Sequence, residues 1–292
     1  MSEIERGAEP RYREMLEKDR ERWWQSENWD KWAEHYVSEY PRGHFILDTL
    51  RRYAPELRIE GARVLDVGCG DAGVLIAFAE AGAVCSGIEP DARSLERGAV
   101  RAQEHGVRVE LRQSFAEEIP FAEGAFDLVL LDNVLEHVRD RDQTLAEIRR
   151  VLRPGGLLYL VTPKPFALYS LWSDPHYAMT GLVLMPRAMQ VWYFEKLRRG
   201  GEGNYGVGVI PTRWGVLRML RRHGFRSLVS PRTLWIHYLR RKIEAPAGLS
   251  TGLKSKVGRW VAARPWVTDT GPLRWAWDVA IGSNFFIARR EE

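Results

Sequence analysis

The sequence predicts an α/β protein built on a mostly parallel β-sheet. Three observations carry that reading: short apolar runs that alternate with helical segments, a glycine-rich turn that joins the first run to a helix, and proline and glycine stops between elements. Strands that alternate with helical patterns in this way form βαβ units around a parallel sheet.

Taken in order, residues 10–40 read as helical and carry Trp23, Trp24, Trp29, Trp32, Tyr36 and Tyr40, and a further helix is predicted over 44–53. The first strand, Val64-Leu65-Asp66-Val67, runs into Gly68-Cys69-Gly70-Asp71-Ala72-Gly73 and then a helix. Glycine permits positive φ and close approach of a ligand to the backbone, and the first turn of a helix offers unpaired N–H groups. The segment is therefore a nucleotide-type cofactor loop. Its Gly68-x-Gly70-x-x-Gly73 spacing also matches the dinucleotide fingerprint of nicotinamide-binding domains. Asp66 argues for another ligand. A carboxylate two residues before the first glycine disfavours a pyrophosphate and suits a ligand with a cationic end. S-adenosylmethionine (SAM) has an ammonium, a sulfonium and no phosphate.

The second strand, 83–89, ends in Glu89, which lies 23 residues after Asp66 and can accept both hydroxyls of a ribose. A third strand is predicted over 107–111. The fourth, 126–132, leads into Asn133-Val134-Leu135-Glu136-His137-Val138, where a helical reading puts Asn133 and His137 on one face. A helix with Leu145, Ile148, Val151 and Leu152 on its apolar side follows and stops at Arg153-Pro154-Gly155-Gly156. The next strand is 157–163. Beyond it, Thr212 caps a helix that ends at His223-Gly224-Phe225, with strands predicted at 226–230 and 283–288.

The segments LDVGCG, GIEPD, FDLVLLDNVLEHV and LRPGGLLYLVTP, in that order, resemble class I SAM-dependent methyltransferases of the UbiE/UbiG-like small-molecule type. The resemblance is strong over 63–163 and weak towards the termini. It implies a Rossmann-like seven-stranded, mostly parallel sheet with helices on both faces, an N-terminal helical lid and cap insertions. The corresponding division is 1–55 for the lid, 56–163 for the SAM-binding core, 164–210 for a substrate-cap insertion and 211–292 for the rest of the core with a second insertion. Insertions of this length usually have a function.

The same resemblance implies roles. Gly68 and Gly70 line the methionine part of SAM, Cys69 between them is a further cofactor-binding residue, and Asp66 supports the turn. Glu89 binds the ribose, Pro90 or Asp91 flanks the adenine, and Ser114 and Phe115 contact it. Asp132 and Asn133 face the amino-acid end. Tyr36 belongs to Asn28-Trp29-Asp30-Lys31-Trp32-Ala33-Glu34-His35-Tyr36, which is similar to a lid helix that closes over the cofactor. His137 and His176 are the candidate catalytic bases; His176 sits in the polar and aromatic cluster Trp172-Ser173-Asp174-Pro175-His176-Tyr177. The products expected are S-adenosylhomocysteine and a methylated small-molecule or lipid-linked acceptor, methylated at O, N or C. A non-catalytic SAM-binding protein and an RNA methyltransferase are the alternatives, but the sequence has no recognisable RNA-binding module and no Asn-Pro-Pro-Tyr motif, so no nucleic-acid partner is expected.

Composition frames these roles. No pair of Cys or His has metal-ligand spacing, so no metal is expected. With two cysteines, Cys69 and Cys85, and an N-terminus too charged for a signal peptide, the cytoplasm is the expected compartment. The net charge of +4 hides an asymmetry: residues 1–163 hold 22 Lys+Arg against 31 Asp+Glu, and residues 164–292 hold 21 against 8. None of the twelve tryptophans falls between Ala33 and Leu171, and eight lie in the basic half. Tryptophan together with basic residues favours a membrane–water interface and also suits an anionic substrate, so peripheral membrane contact is an expectation for this half.

Overall fold

The computed structural model describes residues 9–20, 29–163, 211–230 and 283–292, together with positions 185, 189, 192, 233, 234, 237 and 238. Among the described residues three helices precede the sheet: α1 (Pro10–Lys18), α2 (Trp29–Val37) and α3 (Glu39–Tyr53). The helix expected over 44–53 therefore begins earlier, at Glu39. Then come β1 (Arg63–Val67), α4 (Gly73–Glu80), β2 (Val84–Glu89), α5 (Ala92–Glu104), β3 (Val109–Gln113), β4 (Phe126–Asp132), α6 (Arg141–Val151) and β5 (Leu152–Pro163). The described residues end with α7 (Arg213–Arg222), β6 (Phe225–Ser227) and β7 (Ser283–Arg290).

The seven strands form one sheet in the order β3-β2-β1-β4-β5-β7-β6. The first five are parallel to their neighbours, while β7 runs antiparallel to both β5 and β6. This is the Rossmann-like, mostly parallel arrangement expected from the sequence. Each face is covered by helices, because alternate strand residues point to opposite sides. Val64, Leu128, Leu130, Tyr159 and Ile287 meet Ile46, Leu50 and Phe78 of α3 and α4 on one face. Leu65, Val129, Leu131, Leu160 and Phe286 meet Leu145 and Ile148 of α6 and Val216 and Leu220 of α7 on the other.

Several boundaries differ from the sequence reading. The third strand starts two residues later than expected, after the chain turns at Gly106 with φ +67. Residues 133–140 form turns, so Asn133 and His137 do not share a helix face. Asn133 has φ +57, which a right-handed helix cannot contain, and the helix begins only where the Asp140 side chain caps the Gln143 N–H. Leu152 belongs to β5, and the register shift between Phe126 and Leu128 absorbs Arg153-Pro154-Gly155-Gly156 as an irregularity within the ladder. The strand expected at 226–230 is shorter and begins at Phe225, and the last strand extends to Arg290.

Candidate cofactor site

The site forms at the carboxyl end of β1. The chain leaves the strand through Gly68 (φ +74), Gly70 (φ +52) and Ala72 (φ +58) before α4 begins. A Cβ at Gly68 would lie 2.5 Å from Val134 Cγ2, so the β1 and β4 turns approach closely only because Gly68 has no side chain. The Gly68 and Cys69 N–H groups donate to the Ile88 carbonyl at 2.8 and 3.0 Å, which ties the loop to the end of β2. Glu89, the last residue of β2, accepts from the Gly70 N–H at 3.2 Å and from the Asp91 N–H at 3.1 Å. Burial raises the Glu89 pKa, and those two backbone donors work against the rise.

Beneath the loop lies a group of buried charges. Asp66 and Glu39 are each 3 % exposed. Glu39 accepts from the Gly73 N–H at 3.2 Å, and Arg42 Nε stands 2.9 Å from Asp132 Oδ2 as an ion pair. Burial pushes the Glu39 carboxyl up to about 8, with Asp71 adding to the shift. Burial also holds Asp66 well above the usual carboxylate range, reinforced by Asp132 and Glu39, and it raises Asp132, opposed by Arg42. Arg42 remains charged: burial disfavours its cation, but Asp132, Glu39 and Asp66 together raise its pKa. Three carboxyls thus surround one cation, with Tyr159 among them on the same face of the sheet. Such a site favours a further positive charge.

A clamp from the N-terminal helices holds the same loop. Asp71 is fully buried and accepts from Tyr12 Oη at 3.0 Å and from Arg97 Nε and Nη2 at 2.8 Å each. Arg101 bonds Glu9 at 2.6 Å and donates to the carbonyls of Tyr36 and Val37. Tyr36 lies under the Arg97 guanidinium at 5.1 Å.

Other predicted positions spread around this centre. Cys69 is buried beside Gly87, whose missing side chain leaves room for the sulfur. The Pro90 carbonyl accepts from Gln113 Nε2 at 2.8 Å, and Ser114 Oγ donates to the Glu118 carbonyl at 2.5 Å. Phe115 is 54 % exposed, with the Arg139 guanidinium 5.2 Å from its ring. Asn133 donates its side-chain N–H to Asp132 at 2.9 Å. His137 lies exposed in the turn after β4. Beside it, Glu136 is fully buried within 3.5 Å of Thr162 Oγ1, and burial raises its carboxyl to about 8. His176 and the cluster around it lie outside the described residues, as do Trp23 and Trp24, and the side chains of Trp29 and Trp32 are not described either. Among the described residues no group of three or more His, Cys, Asp or Glu could hold a metal ion.

Residues 65–160 match the family model of a methyltransferase domain. The core is a class I SAM-dependent methyltransferase domain. The methyltransferase core is 36 % identical over 104 residues to a ubiquinone biosynthesis O-methyltransferase of Rhizobium leguminosarum, covering 36 % of this chain and 41 % of that protein. To the protein of the same name in Agrobacterium fabrum it is 36 % identical over 124 residues, 42 % of this chain and 50 % of that one. The chain thus spans half or less of the length of these relatives. The solved structure of an S-adenosylmethionine dependent methyltransferase from Mesorhizobium loti has the same fold, with a TM-score of 0.51 and 21 % identity over 82 % of this chain and 96 % of that one.

The sequence reading missed Glu39, Arg42, Asp71 and Tyr159. Glu39 and Arg42 lie one helical turn apart, a spacing that could have placed them on one face of α3, but nothing local ties that face to a loop some thirty residues later.

Proposed function

We propose that this protein transfers a methyl group from SAM to an oxygen, nitrogen or carbon nucleophile of a small-molecule or lipid-linked acceptor. The observation that carries this reading is the acid-rich buried cluster of Asp66, Asp132 and Glu39 around Arg42, directly under a glycine loop that Glu89 holds through the Gly70 N–H. It fits a ligand that has an ammonium at one end and a ribose further along. The relatives' names favour oxygen as the acceptor atom.

In this reading Asp66 and Asp132 hold the ammonium, and Arg42 holds the carboxylate of the methionine part. Gly68, Cys69 and Gly70 line that part with backbone. Glu89 turns from the backbone donors that now satisfy it to the ribose hydroxyls. Pro90, Ser114 and Phe115 border the adenine, Asn133 stands near the amino-acid end, and Tyr36 closes the N-terminal side. SAM brings its own electrophilic methyl group. The chain's work is to hold the acceptor in line with it, and such positioning alone can lower a barrier by about 7–11 kcal/mol at the extreme. Where the acceptor is protonated, His137 or Glu136 takes the proton; His176 is a further candidate. Residues 1–55 serve as a lid, 56–163 as the SAM-binding core, and 164–210 and the second insertion as the acceptor wall. We place this activity in the cytoplasm.

Calorimetric titration with SAM and, in parallel, with NAD tests the reading. SAM should bind and NAD should not; binding of NAD without SAM would overturn it. Glu89→Ala should weaken SAM binding by about 1–3 kcal/mol, the loss of a charged hydrogen-bond partner, and an unchanged affinity would remove Glu89 from the site.

A further inference from the structure

Helix α7 has a face that neither the core nor the cofactor site uses. Trp214 is 68 % exposed, and Arg218, Arg221 and Arg222 are exposed as well. These positions follow the i, i+4, i+7, i+8 spacing and share one side of the helix. Val216 and Leu220, 0 and 1 % exposed, anchor the opposite side in the core. The helix contains no acid, and none of these three arginines forms an ion pair with a described residue. The acids nearby are engaged elsewhere: Asp142 bonds His223 at 2.8 Å, and Glu291 lies 3.9 Å from Arg226. The Arg213 guanidinium lies 5.5 Å from the Trp214 ring.

The placement of this face follows from the topology. Strand β6 is antiparallel to β7, and β7 is antiparallel to β5, so β6 runs in the same direction as β1 and β4. Helix α7 precedes β6 through the turn at His223-Gly224 and runs the opposite way, so it starts at the sheet edge where β1 and β4 end. Trp214 stands at that start and the arginines continue along the helix away from the edge.

We propose that this face docks on an anionic membrane surface. An exposed indole is at home at the membrane–water interface, and a row of arginines without acidic partners among the described residues complements a negatively charged leaflet. A single exposed helix side, with its aromatic at one end, fits a flat surface. Docking there lays the helix along the membrane with the carboxyl edge of the sheet at its Trp214 end, beside the surface in which a lipid-linked acceptor would be presented. That last consequence rests on the proposed methyl transfer; the docking itself does not.

The test is sedimentation of the full chain with vesicles of phosphatidylcholine alone and with vesicles that contain phosphatidylglycerol, at low and high salt. The expected result is binding to the anionic vesicles only, reversed by salt. Each arginine reversed to glutamate should weaken that binding about fivefold or more, and Trp214→Ala should weaken it without changing its salt dependence. Thermal unfolding of each variant at the parent temperature shows that the fold is kept. Absence of binding to anionic vesicles would overturn the proposal, and so would undiminished binding by the Arg218→Glu, Arg221→Glu, Arg222→Glu triple variant. Tighter binding of a single-stranded RNA, lost in the same variant, would assign the face to nucleic acid and overturn it too. SAM titration of the same samples is read separately, so failure of docking and failure of the methyltransferase reading are distinguishable.

Discussion

The Glu39 carboxyl accepts the Gly73 N–H at 3.2 Å across 34 residues of sequence, which closes the start of α4 with a side chain from the N-terminal helices. The first turn of a helix ordinarily attracts an anion. Here a buried carboxyl of the protein itself takes that place, and it adjoins the raised carboxyl of Asp66.

This arrangement makes the cofactor-free protein sensitive to pH. The Glu39 carboxyl, raised by burial to about 8 and with Asp66 raised beside it, keeps its proton in the folded chain over a range in which the unfolded chain has lost it. The unfolded state therefore binds fewer protons between the ordinary carboxylate range and about pH 8, and stability falls as pH rises through that window. Thermal unfolding should show this fall, and Glu39→Gln, which keeps an acceptor for Gly73, should reduce it. Binding of SAM at pH 7 should release protons, read as a dependence of the calorimetric heat on the buffer's ionisation enthalpy. A fall as steep in the variant as in the parent would remove Glu39 from this role.

Asp71 is the second point of attachment between the loop and the N-terminal helices. Asp71→Ala leaves Arg97, with 6 % of its side chain exposed, without its bidentate partner but still paired with Asp19, and should cost about 3 kcal/mol in denaturant unfolding, the low end for a broken buried pair. Tyr12→Phe removes only one hydrogen bond to the same carboxylate and should cost about 1.5–3 kcal/mol. Equal losses in the two variants would show that the Arg97 pair contributes little to holding the loop.

His137 and Glu136 are adjacent but differ in environment. His137 is exposed, so His137→Ala should change stability by less than about 0.5 kcal/mol. If His137 is the base, turnover with an identified acceptor should fall about 10²–10⁴-fold while SAM affinity holds. Turnover that is unchanged in His137→Ala and lost in Glu136→Gln would transfer the role to Glu136.

The strands and the cofactor loop were legible in the sequence because both depend on neighbouring residues. Apolar runs of strand length, glycines at Gly68 and Gly70 and an acid at Glu89 mark a βαβ unit without reference to the rest of the chain. The errors fell where local patterns compete. Glu136-His137-Val138 follows a strand as a helix would, but the left-handed backbone at Asn133 makes it a turn. Pro154-Gly155-Gly156 reads as a stop, but the ladder from β4 carries the strand through it.

By itself the sequence determined the sheet, the order of its βα units and the loop that marks the cofactor's place. Only the tertiary structure decided what lies beneath that loop. Glu39 and Arg42 reach it from α3, Tyr12 reaches Asp71 across 59 residues, and Tyr159 joins them from β5. The physical reason is that a backbone turn is fixed by the residues within it. A buried charge, by contrast, is tolerated only where partners from distant segments meet it, and which segments those are depends on how the helices pack on the finished sheet.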